Sequence, residues 1–201
     1  NVLPKLQHGA AKTLVKIPVL NNIVYKKVRK SMIEFFGNEL EEVVIGGAAL
    51  NTDVEKFLRK VKFPYTVGYG MTECGPLISY DYWTKYKERS CGKVVDRMEV
   101  KIDSEDPANI VGEILTRGSN LMLGYYKNEE ATRQTFTEDG WLKTGDLGTL
   151  DSDNFVFIRG RNKNMILGPS GQNIYPEEIE EKINSSPFVS ESLVITENEK
   201  I

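Results

Sequence analysis

The stretch GYGMTECGP (Gly68–Pro76) sets a hydroxyl and a carboxylate side by side, Thr72 and Glu73, just behind Gly68 and Gly70. Glycines after a strand admit close approach to the backbone, and a Thr-Glu pair offers oxygen ligands to a hard cation. A tight loop with incidental polar side chains would use the same residues. A second carboxylate, Asp146, falls in what reads as a turn between glycines in WLKTGDLG (Trp141–Gly148). Fixed there, it can accept two hydroxyl hydrogen bonds, as a ribose diol requires; an ordinary Asp-Gly turn is the alternative. The third group is cationic. IRGRNKNMI carries Arg159, Arg161 and Lys163 in alternation, and guanidinium forks suit phosphate oxygens or sugar hydroxyls, although positive charge also guards exposed strand edges.

These groups need a scaffold, and hydrophobic periodicity supplies one. Residues 19–36 place Leu20, Val24, Val28, Met32 and Phe35/Phe36 at helical spacing, with Lys26, Lys27, Arg29 and Lys30 between them. Such a helix can lie on a membrane surface, but an ordinary helix with a solvated face accounts for the pattern. EEVVIGGAAL reads as a short buried strand ending at Gly46-Gly47, Thr52-x-x-Glu55 has the form of a capping box, and Val54, Phe57/Leu58 and Val61 share a helix face. Pro64 marks the stop, and YTVGYG follows as a second strand. Strand, helix, strand within this span predicts a parallel βαβ unit. Its two glycine loops, GGAA and GYGMTE, then emerge at the carboxyl edge where α/β folds place ligands. Beyond Pro76, MEVKI, IVGEILT and FVFIRG alternate as strands, with a helix at NEEATRQTF. PEEIEEKI opens a last helix with Pro176 in its first turn, and ESLVI reads as a strand after it. The expected division is 1–76 as part of a parallel-sheet α/β nucleotide-binding subdomain, 77–160 as a β-rich, distorted barrel-like subdomain, and 161–201 as a hinge and the start of a small α+β lid.

Composition narrows the chemistry. The 201 residues carry 26 basic and 29 acidic side chains, a net charge of -3, so nothing calls for a nucleic acid or an anionic membrane as partner. One histidine, His8, argues against histidine-based catalysis or a histidine-rich metal site. Cys74 and Cys91 do not form a CxxC pair and read as reduced thiols, which with no transmembrane run and no signal peptide predicts a cytoplasmic protein. The chain starts without methionine and stops just after an expected strand, so both ends read as cut from something longer. Two glycine loops, a diol acceptor, a Thr-Glu pair and an arginine describe a nucleotide site, yet neither GxxxxGK[ST] nor GxGxxG opening a helix is present.

VVIGGAAL, GYGMTECGP, VGEILTRGSNLMLGYY, WLKTGDLG, FIRGRNKNMI and GQNIYPEEIE stand in the order seen in the adenylate-forming superfamily of acyl-CoA synthetases, peptide-synthetase adenylation domains and firefly-type luciferases. The chain resembles that superfamily from about Val43 to Ile195, and within it the bacterial long-chain fatty acid–CoA ligases most. The resemblance implies an acyl-adenylate formed from ATP with Mg²⁺, followed by transfer of the acyl group to CoA. It implies that Gly46, Gly47, Ala48 and Ala49 flank adenine and the acyl group, and that Tyr69 stacks on adenine beside Gly70 and Met71. Thr72 is implied to touch the α-phosphate or the substrate carboxylate, Glu73 to hold Mg²⁺, Asp146 the ribose hydroxyls, and Arg161 ribose or phosphate. Lys163 falls at the family's hinge and Gly171 near the route by which the CoA arm enters.

The pattern also departs from the family. The Ser/Thr/Gly-rich phosphate loop and the C-terminal lysine are missing, and Asn173 stands where some relatives have arginine. The sequence therefore reads as an internal fragment, expected to be inactive alone and open to self-association, of a ligase acting on fatty acid, ATP and CoA. Peripheral membrane contact at the inner face is an option for the parent. The alternatives are an adenylation domain that loads an amino or aryl acid onto a carrier protein, and a non-catalytic nucleotide-binding module.

Overall fold

The computed structural model describes residues 18–168 and 170–196; His8 lies outside them, as does the side chain of Leu20. The chain forms two compact units, one from residues up to Ile45 together with Leu50–Tyr65, the other from Gly46–Ala49 together with Thr66 onward.

In the first unit, α1 (Pro18–Phe35) half-buries Val24, Val28 and Met32 as its spacing predicts, with Lys26, Lys27 and Lys30 exposed. The apolar stripe stops short of the helix end. Phe35 is 84% and Phe36 53% exposed, and Phe36 meets Phe35 edge-on at 5.3 Å and Phe63 at 6.2 Å. No helix among the described residues is long and apolar enough to cross a membrane. The strand expected to be buried, β1 (Val43–Ile45), is only half so, because alternation turns Val44 to an open face. Helix α2 (Thr52–Val61) begins one residue earlier than the capping-box reading has it. Asn51 is the cap, its Oδ1 accepting the Asp53 and Val54 amides at 3.0 and 3.2 Å. Glu55 is instead buried beside Phe57, Leu58 and Val61. Lys62, at φ 56°, ends the helix two residues before Pro64.

The chain enters the second unit through β2 (Tyr65–Val67). Gly68 divides the single strand expected of YTVGYG: β3 (Tyr69–Gly70) is a separate element, paired antiparallel with β4 (Leu77–Ser79) around a 3-10 turn at Thr72–Cys74. An antiparallel meander follows, β5 (Met98–Asp103), β6 (Gly112–Gly118), β7 (Leu142–Leu150) and β8 (Val156–Arg161), in that spatial order. The mixed α/β class holds, but among the described residues no sheet closes into the barrel expected of 77–160, since four strands are too few to close on themselves. Instead the 91–95 segment joins the hairpin to the meander: Cys91 N–H donates to Val156 O, Tyr80 N–H to Lys93 O, and Val95 N–H to Ile78 O. Tyr69, Cys74, Ile78, Met98, Ile102, Ile114, Leu142 and Val156 make one apolar core. The glycine-loop hairpin and the meander thus share their packing.

Between β6 and β7 lies the predicted α3 (Glu129–Thr135), capped by Asn128, whose Oδ1 accepts the Ala131 amide at 3.0 Å. After β8 come a 3-10 turn at Asn162–Asn164, the antiparallel pair β9 (Ile166–Leu167) and β10 (Asn173–Ile174), and α4 (Pro176–Asn184), which has proline and two glutamates in its first turn as predicted. The strand expected of ESLVI does not form. It has no strand partner among the described residues, and the Val194 amide is taken by Glu180 Oε1 at 2.8 Å. Helix α4 is clasped by polar contacts. Arg89 makes a two-pronged pair with Glu181 at 2.9 Å, Asn164 Nδ2 donates to Glu177 at 2.7 Å, and Arg159 lies 3.7 Å from Glu178.

Candidate nucleotide site

Asp146 sits within β7 and not in the turn its glycine neighbours suggest, and it is buried. Its cross-strand partner is Arg161. Near the hairpin turn Leu150 pairs with Val156 and Gly148 with Ile158; continued in that register, Asp146 would face Gly160. A register shift between Leu147 and Gly148 inserts one residue and brings Arg161 opposite Asp146 instead. Arg161 Nε then lies 3.1 Å from Asp146 Oδ1, while the Tyr69 hydroxyl donates to Oδ2 at 2.8 Å. From below, Thr144 Oγ1 accepts the Asp146 amide at 3.1 Å and donates to Ile114 O at 2.8 Å. Burial, and then the Asp146 charge, push the Tyr69 phenol far above its ordinary range, so it remains a neutral donor. The result is a carboxylate of fixed orientation beside a guanidinium that is itself 67% exposed. Such a pair can accept hydroxyls and offer positive charge to a phosphate.

Glu73 is held differently, on the one-turn segment Thr72–Cys74. The return of the chain beneath it requires Gly70, since a Cβ there would fall 2.0 Å from Pro76 O. The Met71 amide donates to the same carbonyl at 2.9 Å. The segment after β6 ties the turn down from the side. Asn120 Nδ2 donates to Cys74 O at 2.6 Å and to Leu77 O at 3.1 Å, Met122 N–H to Glu73 O at 2.7 Å, and Tyr125 OH to Glu73 Oε1 at 2.8 Å. Sequence reading singled out RGSNLMLGYY as a motif but gave its residues no task; they brace the Thr-Glu turn. Thr144 was missed as well. The Cys74 thiol, inside the core, is pushed up to about 11 by burial and, secondarily, by Glu73.

Thr72 is exposed and Glu73 half-exposed. Among the described residues no group of three or more His, Cys, Asp or Glu could cage a metal. One carboxylate with a free oxygen suits Mg²⁺, which keeps waters and takes its other ligands from phosphates, better than it suits an all-protein calcium or zinc site. Of the remaining predicted residues, Gly46–Ala49 form an exposed loop beside Gly68, a Cβ at Gly46 lying 3.4 Å from Gly68 O. Gly70 and Met71 lead into the turn. Lys163 is exposed in the 3-10 turn after β8, and Gly171, at φ 81°, lies in the loop between β9 and β10. Neither of these two takes part in the Asp146 cluster.

Residues 7–126 match the family of AMP-binding enzymes. The chain belongs to that family. Its similarities within the AMP-binding enzymes span several acids. It is 33% identical to a long-chain-fatty-acid–CoA ligase of Mycobacterium bovis over 180 residues, covering 90% of this chain and 28% of that protein. It is 35% identical to the 2-succinylbenzoate–CoA ligase of Bacillus cytotoxicus over 188 residues, 88% of this chain and 38% of the relative. The o-succinylbenzoate CoA synthetase of Bacillus subtilis in complex with AMP superposes with a TM-score of 0.74 at 31% identity, over 88% of this chain and 38% of that one. The same synthetase is also known in complex with ATP and magnesium (TM-score 0.68, 32% identity, 80% and 36% coverage). The chain therefore spans between a quarter and two fifths of the curated relatives' length.

Proposed function

We propose that the protein carrying this chain is an acid–CoA ligase, acting on a long-chain fatty acid, and that the second unit supplies the ribose and metal side of its nucleotide site. The observation that carries this reading is the Asp146 carboxylate, buried on β7 and oriented by the Tyr69 hydroxyl and the Arg161 guanidinium. In the first step a carboxylate oxygen of the acid attacks the α-phosphorus of ATP and pyrophosphate leaves. In the second, the CoA sulfur attacks the acyl carbon and AMP leaves. Mg²⁺, when bound, offsets negative charge on the phosphates.

In this reading Asp146 grips the ribose hydroxyls, Tyr69 borders adenine with Gly46–Ala49, Gly70 and Met71, and Arg161 reaches ribose or phosphate. Thr72 contacts the α-phosphate or the acid, and Glu73 holds the metal. Negative charge gathers at phosphorus as the acid attacks, so donors fixed in advance do most of the stabilising. The segment from Arg161 onward serves as hinge and lid, with the exposed Lys163 as its pivot and Gly171 beside the path of the CoA arm. A lid that shuts out water protects the adenylate from hydrolysis.

Relatives named for succinylbenzoate make an aryl acid the competing substrate class. A panel of acids, with CoA and a holo-carrier protein as alternative acceptors, tests the assignment on the full-length protein. Thioester formation with palmitate and CoA is expected. Turnover of aryl acids only, or transfer to the carrier alone, would refute the long-chain reading.

A further inference from the structure

The turn bearing Glu73 is braced by a segment with foundations of its own. The Tyr125 amide donates to Thr132 Oγ1 at 2.9 Å, and that hydroxyl donates to the carbonyl of Asn128, the α3 cap, at 2.9 Å. Gly124, at φ 148°, passes so close to Thr132 that a Cβ would fall 2.8 Å from its Cγ2. Tyr125 therefore stands on backbone fixed to a helix, and its phenol reaches across to Glu73 Oε1 at 2.8 Å. We propose that Tyr125 is a positioning residue for Glu73: its hydroxyl holds one carboxylate oxygen so that the other is presented to the magnesium–nucleotide complex.

Two observations support this. The Glu73 carbonyl is already fixed by the Met122 amide, so the side-chain torsions are what the phenol constrains. The contact uses Oε1 alone, leaving Oε2 open to a cation. Partners that orient a metal-binding carboxylate in this way set its affinity without touching the ion. A purely structural contact at a residue 39% exposed would leave metal dependence alone.

The proposal rests on the reading of Glu73 as the magnesium-binding group, and the test separates the two. In the full-length protein, the magnesium dependence of ATP binding is followed by calorimetry and that of pyrophosphate exchange by isotope incorporation. Tyr125→Phe is expected to raise the half-saturating magnesium concentration about tenfold, the lower end of what such contacts control. KM for the acid and for CoA, and the melting temperature, should not move. Glu73→Gln should raise it at least as far, and the double variant no further than Glu73→Gln alone. A normal magnesium response in Tyr125→Phe, with Glu73→Gln impaired, overturns the proposal and leaves the reading standing. Additive effects in the double variant overturn it too, since the phenol would then act independently of Glu73. Normal responses in both variants overturn the reading of Glu73 and the proposal with it.

Discussion

Asp146 and Glu73 hold the two carboxylates of the candidate site by opposite means. Asp146 is built into a strand that pairs with β6 and β8: Arg161 faces it on the β8 side, a register shift selects that neighbour, and each oxygen has a named donor. Glu73 rides a single turn, with one oxygen engaged and its backbone tied by a side chain and an amide from another segment. The strand-borne group is positioned by the fold itself. The turn-borne group is positioned by ties that can be cut singly.

Removing the strand-borne group should have the largest effect. Asp146→Ala is expected to weaken ATP binding severely, since charge-assisted hydrogen bonds contribute about 1.5–3 kcal/mol each and a diol makes two. Calorimetry on folded, full-length variant reads this directly, and unchanged affinity would remove Asp146 from the site. Next comes the floor of the turn. Gly70→Ala forces a methyl against the Pro76 carbonyl, so a loss of about 1–3 kcal/mol in unfolding free energy is expected. If Gly70→Ala melts like the parent, the turn is less constrained than its geometry indicates. Cutting one tie should cost less. Asn120→Ala leaves two carbonyls without their donor, for about 1–2 kcal/mol in stability, and should impair magnesium-dependent nucleotide binding more than nucleotide binding without metal. Equal loss in both would mean that Asn120 supports the core and not the turn.

The last effect emerges only at alkaline pH. An ordinary thiol titrates near 9.0 and Cys74 near 11, so between these values the unfolded chain has released a proton that the folded one keeps. Stability should therefore fall as pH rises through that window. Denaturant titrations at increasing alkalinity should find this slope, and Cys74→Ala should reduce it, the raised Tyr69 phenol supplying the remainder at higher pH; an unaltered slope in the variant would rule the thiol out as a source.

Local grammar was legible in the sequence. Pro176 and its glutamates announce α4, and NEEATRQTF announces α3, because caps and dipole charges act within a turn. The identities of Asp146, Tyr69 and Arg161 could be nominated, but not their mutual contact. Counted from the hairpin turn alone, Asp146 would face Gly160, and only the one-residue shift supplies Arg161; a bulge is a tertiary event, and one slip in register exchanges the faces. Asn120 and Tyr125 were invisible for a related reason. Their partners lie 46 and 52 residues away along the chain, and no periodicity encodes that distance. ESLVI has the composition of a strand but no neighbour to pair with among the described residues, and propensity alone does not make a sheet.

The clasp on α4 has a consequence of a different kind. The helix fully buries only Pro176, and much of its seat is drawn from ion pairs and a side-chain amide at the surface. Dissolved ions compete for such contacts, and at physiological salt their influence is damped beyond about 8 Å. The backbone ladders of β5–β8 are indifferent to that competition. Ionic strength therefore acts selectively on this molecule: brine would loosen the C-terminal helix from its berth while the sheet beside it stayed intact.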